Sequence, residues 1–333
     1  MVLPFIMLIV QDGFRWEIGT DWEPYYTFFE NVNILGDDTE FEIGYVYLNK
    51  FISSIGGNYT LFLIVHALIL YSMIFAFTKK YSYYPLVSIF LYYAFYISVM
   101  GMNRQFLAVV FALFSVKYIL NRDAIKFGIC IALGCLFHLS ILMFIPAFFC
   151  KFNVKTKVCI GLGIFALLFS LSGVLNLIPS EIFLFMGDNS AAKVSFYLGQ
   201  GAESHSIVNS LLSLLRRSTW LILLLIFRCK FVNHPQWSDK FNLCFNLYFL
   251  STLIYIMFDG SNFQIVVSRG LIYYNIFEIV MIPYVLTFFQ GRTNKFFAYV
   301  VIILYAMIMM NKGMSSYTPV VGDIFNPYKS VLF

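Results

Sequence analysis

GMNRQFLAVVFALFSVKYILNRDAIKFGICIALGCLFHLSILMFIPAFFCK, residues 101–151, is two apolar runs joined by a basic turn, and its reading decides the fold. The first run, 105–120, is a membrane-crossing helix that ends among Lys117, Arg122 and Lys126. The second, 125–149, is long for one span and divides naturally at His138. Two halves of about 12 residues each rise roughly 18 Å, short of a hydrocarbon core of about 30 Å. A re-entrant helical hairpin is therefore expected at 125–149; the alternative is one tilted helix kinked near Pro146.

The rest of the chain continues in kind. Of its 333 residues 60% are hydrophobic and 12% charged, and the mean hydropathy is +0.80. Soluble domains carry about a quarter charged residues, so a globular enzyme is excluded. Further apolar runs fall at about 59–77, 83–100, 158–175, 207–227, 241–258, 269–289 and 296–310, preceded by the short Val2–Val10. The expectation is an all-α, polytopic membrane bundle of about 9–11 membrane segments in a single integral membrane domain, residues 1–333. Two longer polar stretches, 11–58 and 176–206, are its extracytoplasmic loops. Val2–Val10 lacks a basic flank and a small-residue cleavage site and does not read as a signal peptide.

Charge orients this bundle, because cytoplasmic ends carry the excess of Lys and Arg. Lys79 and Lys80, the 117–126 turn, Lys151, Lys155 and Lys157, then Arg228, Lys230 and Lys240, and Arg292 with Lys295 mark basic ends. All of them fall inside only if 125–149 enters and returns. The acids then segregate outward, Asp12, Glu17, Asp21, Glu23, Glu30, Asp37, Asp38, Glu40 and Glu42 in the first loop and Glu181, Asp188 and Glu203 in the second. The net charge of +5 is scattered and forms no nucleic-acid-binding run. Cys130, Cys135, Cys150, Cys159, Cys229 and Cys244 show no metal or disulfide spacing, and neither metal nor cofactor is expected.

Charges inside hydrocarbon cost roughly 3 kcal/mol or more each and persist for a purpose. Arg104 opens a helix, where the dipole adds to its charge and favours an anion; Arg269 has a similar place before GLIYYNIFE. Arg104, His138 and Arg269 all face outward in this topology. His138 at a hairpin tip suits a general base or ligand contact, whereas a lone histidine on an apolar helix is more often structural, as His66 is read here. His205 and His234 lack a supporting pattern. Asp21 and Glu23 stand beside Trp22 and two tyrosines, a composition that suits sugars; a helix lying on the membrane surface is the rival reading. Glu278 is an acid deep within a run and must be paired or protonated, and Arg216 and Arg217 in 207–227 are candidates to share its cavity.

GTDWEPYY (19–26), FEIGYVYLN (41–49), MNRQFLAVV (102–110), LFHLSILMFIP (136–146), SRGLIYYNIFEIVMIP (268–283) and NPYKSVL (326–332) together resemble the EpsG family of Wzy-like polymerases of O-antigen, capsule and exopolysaccharide. The resemblance covers nearly the whole chain. It implies a multi-pass glycosyltransferase of the bacterial inner membrane, acting on undecaprenyl-diphosphate-linked oligosaccharides at the outer face. A chain-length regulator and a flippase are its implied partners, besides membrane lipid. The family pattern maps onto Asp21, Glu42, Gly44, Tyr45, Arg104, His138 and Arg269. On this reading Arg104 and Arg269 clamp the diphosphate and His138 or Asp21 deprotonates the acceptor. Glu23, Glu42, Tyr45, Arg216, Arg217 and Glu278 contact substrate. A membrane O-acyltransferase and a transporter or flippase of lipid-linked sugars are the rival functions.

Overall fold

The computed structural model describes residues 1–34, 41–178, 207–228, 237–315 and 325–332, and over these the chain is helical, with one isolated bridge between Arg15 and Ser330. The residues Asp37, Asp38, Glu40, Glu181, Asp188, Glu203, His205, Cys229, Lys230 and His234, and most of the expected loop 176–206, lie outside the described residues. Among those described, seven helices are long and apolar enough to cross a membrane: Tyr59–Tyr81, Asn103–Leu120, Thr156–Leu177, Ser210–Phe227, Ser238–Phe258, Val266–Thr287 and Arg292–Ser315. Val2–Gly13, Pro85–Val99, Ala124–Cys135 and Leu139–Cys150 are shorter apolar helices. Each apolar run of the sequence is thus helical. The chain packs as two compact units, Met1–Leu142 with Leu286–Phe333, and Met143–Val285.

In the first unit, α1 (Val2–Gly13) runs antiparallel to α4 (Tyr59–Tyr81), with Phe5 edge-on to Phe75, 5.1 Å between centroids, and Asp12 beside His66. Asn58 caps α4 by accepting the Leu61 N–H at 3.0 Å, and Lys79 and Lys80 close its last turn. Pro85 opens α5 (Pro85–Tyr96), where its missing N–H is not needed. α6 (Asn103–Leu120) turns into α7 (Ala124–Cys135) through Arg122 in the left-handed region, φ 57°, and Asp123 caps α7 by accepting the Lys126 N–H at 3.0 Å. The pair is antiparallel: Lys126 lies over the Tyr118 ring and Phe137 stacks on Phe111. The helix Arg292–Ser315 runs alongside α5, Lys295 over Tyr84 at one end and Gly313 against Ser98 at the other.

These directions gather Lys79, Lys80, Lys117, Arg122, Lys126, Arg292 and Lys295 at one end of the unit. Asp12, Glu17, Asp21, Glu42, Arg104 and His138 lie at the other, with Lys312 and Lys329.

The stretch 11–58, expected as a polar loop, holds two further helices, α2 (Trp22–Asn31) and α3 (Ile43–Ser54). Trp22, Tyr25, Phe28 and Phe29 recur at helical spacing and pack with Tyr45, Val46 and Ile52 of α3 onto Tyr59, Phe62 and Leu63 of α4. Each large side chain buried there contributes about 1.5–3 kcal/mol. Trp22, only 8% exposed, is stacked on Tyr26 at 4.7 Å and met edge-on by Trp16, so its ring is used inside the protein and not on a membrane surface. Acids spaced along this stretch hid the aromatic stripe.

The run 125–149 breaks at Leu136–His138, not at Pro146: α7 ends at Cys135 and a 3₁₀ helix runs Leu139–Cys150. A Cβ at Gly134 would lie 2.3 Å from Ile141, so the chain bends sharply between them.

The second unit is built on Ser238–Phe258, whose Phe241, Phe245 and Tyr248 are fully buried. Asn246 donates to the Cys150 and Phe152 carbonyls, each at 2.7 Å, and Arg228 bonds Asn153, the Val154 carbonyl and Asn242, fixing the chain that leaves the 3₁₀ helix. Val266–Thr287 is not one regular helix. It starts as a π-turn at Val266–Gly270 and ends as 3₁₀ around Pro283, whose ring nitrogen cannot join an α ladder.

Candidate functional site

Two glycine turns assemble the site in the first unit. Gly19, φ 109°, faces Met100, and Gly101, φ 111°, faces the backbone of Thr20 and Asp21; the Thr20 N–H donates to the Met100 carbonyl at 3.1 Å. A side chain at Gly19 would meet the Met100 oxygen at 2.4 Å. Only glycine lets these backbones touch. The contact sets Asp21 beside the turn that carries Arg104.

Arg104 is then fixed from three sides. Its Nε donates to Tyr25 Oη at 3.2 Å and its Nη1 to Glu42 Oε2 at 2.6 Å, while the guanidinium lies 4.5 Å from the Phe41 ring centroid. The Arg104 and Glu42 side chains are 20% and 17% exposed, so the pair is neither surface nor core. Two of the five guanidinium N–H donors are engaged, and Nη2 has no hydrogen bond among the described residues. Burial raises the Tyr25 pKa, with Arg104 opposing and Asp21 and Glu42 adding to the rise. Tyr25 therefore keeps its proton at neutral pH. Tyr45 is raised well above its ordinary value, first by burial. It is wholly buried against Tyr25, 5.4 Å between centroids, so it forms the wall behind the site. Glu23 is exposed, on the face of α2 opposite Tyr25.

His138 reaches the same end through two links. The Gly44 N–H donates to the Leu136 carbonyl at 2.7 Å, joining the start of α3 to the bend. Gln105, next to Arg104, donates to Ser140 Oγ at 3.4 Å, and Ser140 Oγ lies 2.8 Å from His138 Nδ1. The Ser140 backbone N–H also points at Nδ1, at 3.2 Å, so Nδ1 is the acceptor and a neutral ring carries its proton on Nε2. A Cβ at Gly44 would sit 2.7 Å from the Leu136 oxygen. Gly44→Ala should lower stability by about 1–3 kcal/mol, read as a lower melting temperature of the purified protein. Gly128→Ala, with nothing within 4 Å, should not lower it.

The remaining candidates lie in the second unit. Arg216 donates from Nη1 to both oxygens of Glu278, at 3.1 and 3.3 Å, with the Glu278 side chain 3% exposed. Arg217 donates to Asn275 Oδ1 at 2.7 Å and lies over the Tyr255 ring. Arg269 is half-buried on the π-turn, and the next residue, Gly270, is held against Met143.

A buried network that the sequence reading missed stands behind Arg104. Arg15, 1% exposed, pairs with Asp12 and donates to Asn103 Oδ1 at 2.9 Å; His66 Nε2 bonds the Asn103 carbonyl at 3.1 Å. Its only sequence signal is an acid and an arginine three apart where α1 ends. Among the described residues no group of three or more His, Cys, Asp and Glu could hold a metal ion.

The family model of the EpsG family matches residues 1–330. No curated protein and no solved structure matches the chain.

Proposed function

Because the chain belongs to the EpsG family over nearly its whole length, and is thus a polysaccharide-polymerase-like, multi-pass membrane protein, we propose that it joins undecaprenyl-diphosphate-linked oligosaccharide repeat units at the outer face of the bacterial cytoplasmic membrane. The basic end of the first unit is cytoplasmic on the positive-inside rule, which turns the Arg104 end outward. The observation that carries the reading is Arg104, gripped on Nε and Nη1 with Nη2 left to donate.

In the reaction an acceptor hydroxyl attacks the anomeric carbon of the donor chain. A C–O bond forms there, the bond from that carbon to the diphosphate oxygen breaks, and undecaprenyl diphosphate leaves with the electron pair. Arg104 binds the diphosphate and stabilises its growing charge; Arg269 is a candidate anion contact of the second unit, taken by itself. Asp21, beside the Gly101 turn, takes the hydroxyl proton. His138 acts through Nε2–H as a hydrogen-bond donor, since Nδ1 is committed to Ser140. Glu42 aims Arg104, and Tyr25, protonated, donates or accepts at a sugar hydroxyl. Within the second unit, Arg216, Arg217 and Glu278 form a polar cluster of their own and are its candidate substrate contacts.

Purified protein in liposomes, given a lipid-linked repeat unit, should yield a ladder of longer lipid-linked chains and one released undecaprenyl diphosphate per bond formed. Transport of the intact repeat unit with no ladder would instead make the protein a flippase, and no ladder under any condition rejects the proposal.

A further inference from the structure

Asn103 is the first residue of α6 and is 1% exposed. Its side-chain oxygen accepts from Arg15 Nη2 at 2.9 Å, its Nδ2 donates to Tyr59 Oη at 3.4 Å, and its carbonyl accepts from His66 Nε2 at 3.1 Å. Arg15 is itself anchored twice, by the ion pair with Asp12 and by its backbone bridge to Ser330. The Asn103 carbonyl belongs to the planar peptide unit that also contains Arg104 N and Cα. Pinning that oxygen and the Asn103 side chain fixes the direction in which the Arg104 side chain leaves the helix. Tyr25 and Glu42 hold the guanidinium, and the network holds its base.

Stability alone is a poor reason for such a cluster. Apolar replacements of a buried ion pair are often neutral or better. This one also leaves Arg15 Nε and His66 Nδ1 without a hydrogen bond among the described residues. Both residues line a cavity of about 20 Å³ with Asp12, Tyr96, Gly101 and Asn103, the room of about one water molecule. We propose that Asp12, Arg15 and His66, acting through Asn103, are positioning residues that set the pose of Arg104 toward an anionic prenyl diphosphate. This rests on the reading of Arg104 as the cation for that group.

The test uses the full chain in lipid nanodiscs, titrated with farnesyl diphosphate by calorimetry, with the melting temperature recorded for every variant. Arg104→Ala should weaken binding about 100-fold. The charge-neutral double variant Asp12→Asn/Arg15→Met should melt near the parent yet bind about tenfold more weakly, and should add no loss in an Arg104→Ala background. His66→Leu, which loses the donor to the Asn103 carbonyl, should bind about tenfold more weakly, and His66→Gln, which keeps one, should stay within about threefold. Parent-like affinity in the double variant and in His66→Leu overturns the proposal, as does a loss that simply adds to that of Arg104→Ala. If the double variant does not fold, the two His66 variants decide. If Arg104→Ala binds like the parent, the reading of Arg104 falls and takes the proposal with it, a pattern distinct from failure of the positioning role alone.

Discussion

Arg104→Ala should remove long polymer while the protein remains inserted and folded. The side chain lies at the accessible end of the first unit, so its loss leaves no deep cavity; Glu42, 17% exposed, can be hydrated. What disappears is the donor set aimed at a leaving diphosphate. Removing one such charge-stabilising group costs about 10²–10³ in rate, roughly 2.7–4 kcal/mol of barrier. Arg104→Lys should recover only part of this. A lysine ammonium is a point charge and cannot bond Glu42 while presenting a second amino group in a fixed plane. Electrophoresis of the surface polysaccharide checks both variants, with membrane content of the protein as control. Normal chain lengths in Arg104→Ala would take this residue out of the site.

Glu278→Ala should have the largest effect on the folded protein. The Glu278 carboxylate is almost wholly buried and receives both bonds from Arg216, with Arg217 adjacent in sequence. Its removal takes the buried carboxylate from Arg216, whose own side chain is 20% exposed, at a cost of about 1–3 kcal/mol. The expected result is a lower melting temperature of the purified protein. The double variant Arg216→Met/Glu278→Leu removes both charges and should restore the melting temperature. It also separates two roles, because a purely structural pair predicts polymer in the double variant and a substrate contact predicts a folded protein without polymer. A Glu278→Ala protein as stable as the parent would mean that the pair contributes little.

The helices were legible because hydrocarbon demands long apolar runs, and those runs are present letter by letter from 59 to 310. The break at His138 was legible too, from length against bilayer thickness. The aromatic packing of α2 and α3 was not, because acids such as Glu23 and Glu30 occupy its outer face and give the stretch the look of a loop. The same limit applies to the site. Arg104 and Glu42 each stood out, yet nothing in spacing says that residues 62 apart form an ion pair. Arg15 pairs locally with Asp12, but its link to the site runs through Asn103, which is 88 residues away and uncharged. Local pattern reports which residues are costly to bury, and only the closed fold reports what compensates them.

The pairing of residues 328–331 with 11–17 has a consequence for biogenesis. Tyr328 bonds the Gln11 carbonyl, Trp16 N–H donates to the Lys329 carbonyl, Lys329 meets Glu17, and Val331 N–H donates to the Phe14 carbonyl. Membrane helices enter the bilayer in order of synthesis, so α1 waits through the translation of some three hundred codons for this partner. Until that late strand arrives, the backbone of Arg15 lacks its bridge. Ribosome-stalled chains that stop before residue 325 should therefore hold the helices from 59 to 315 but lack this seam, which closes only after those helices have been made.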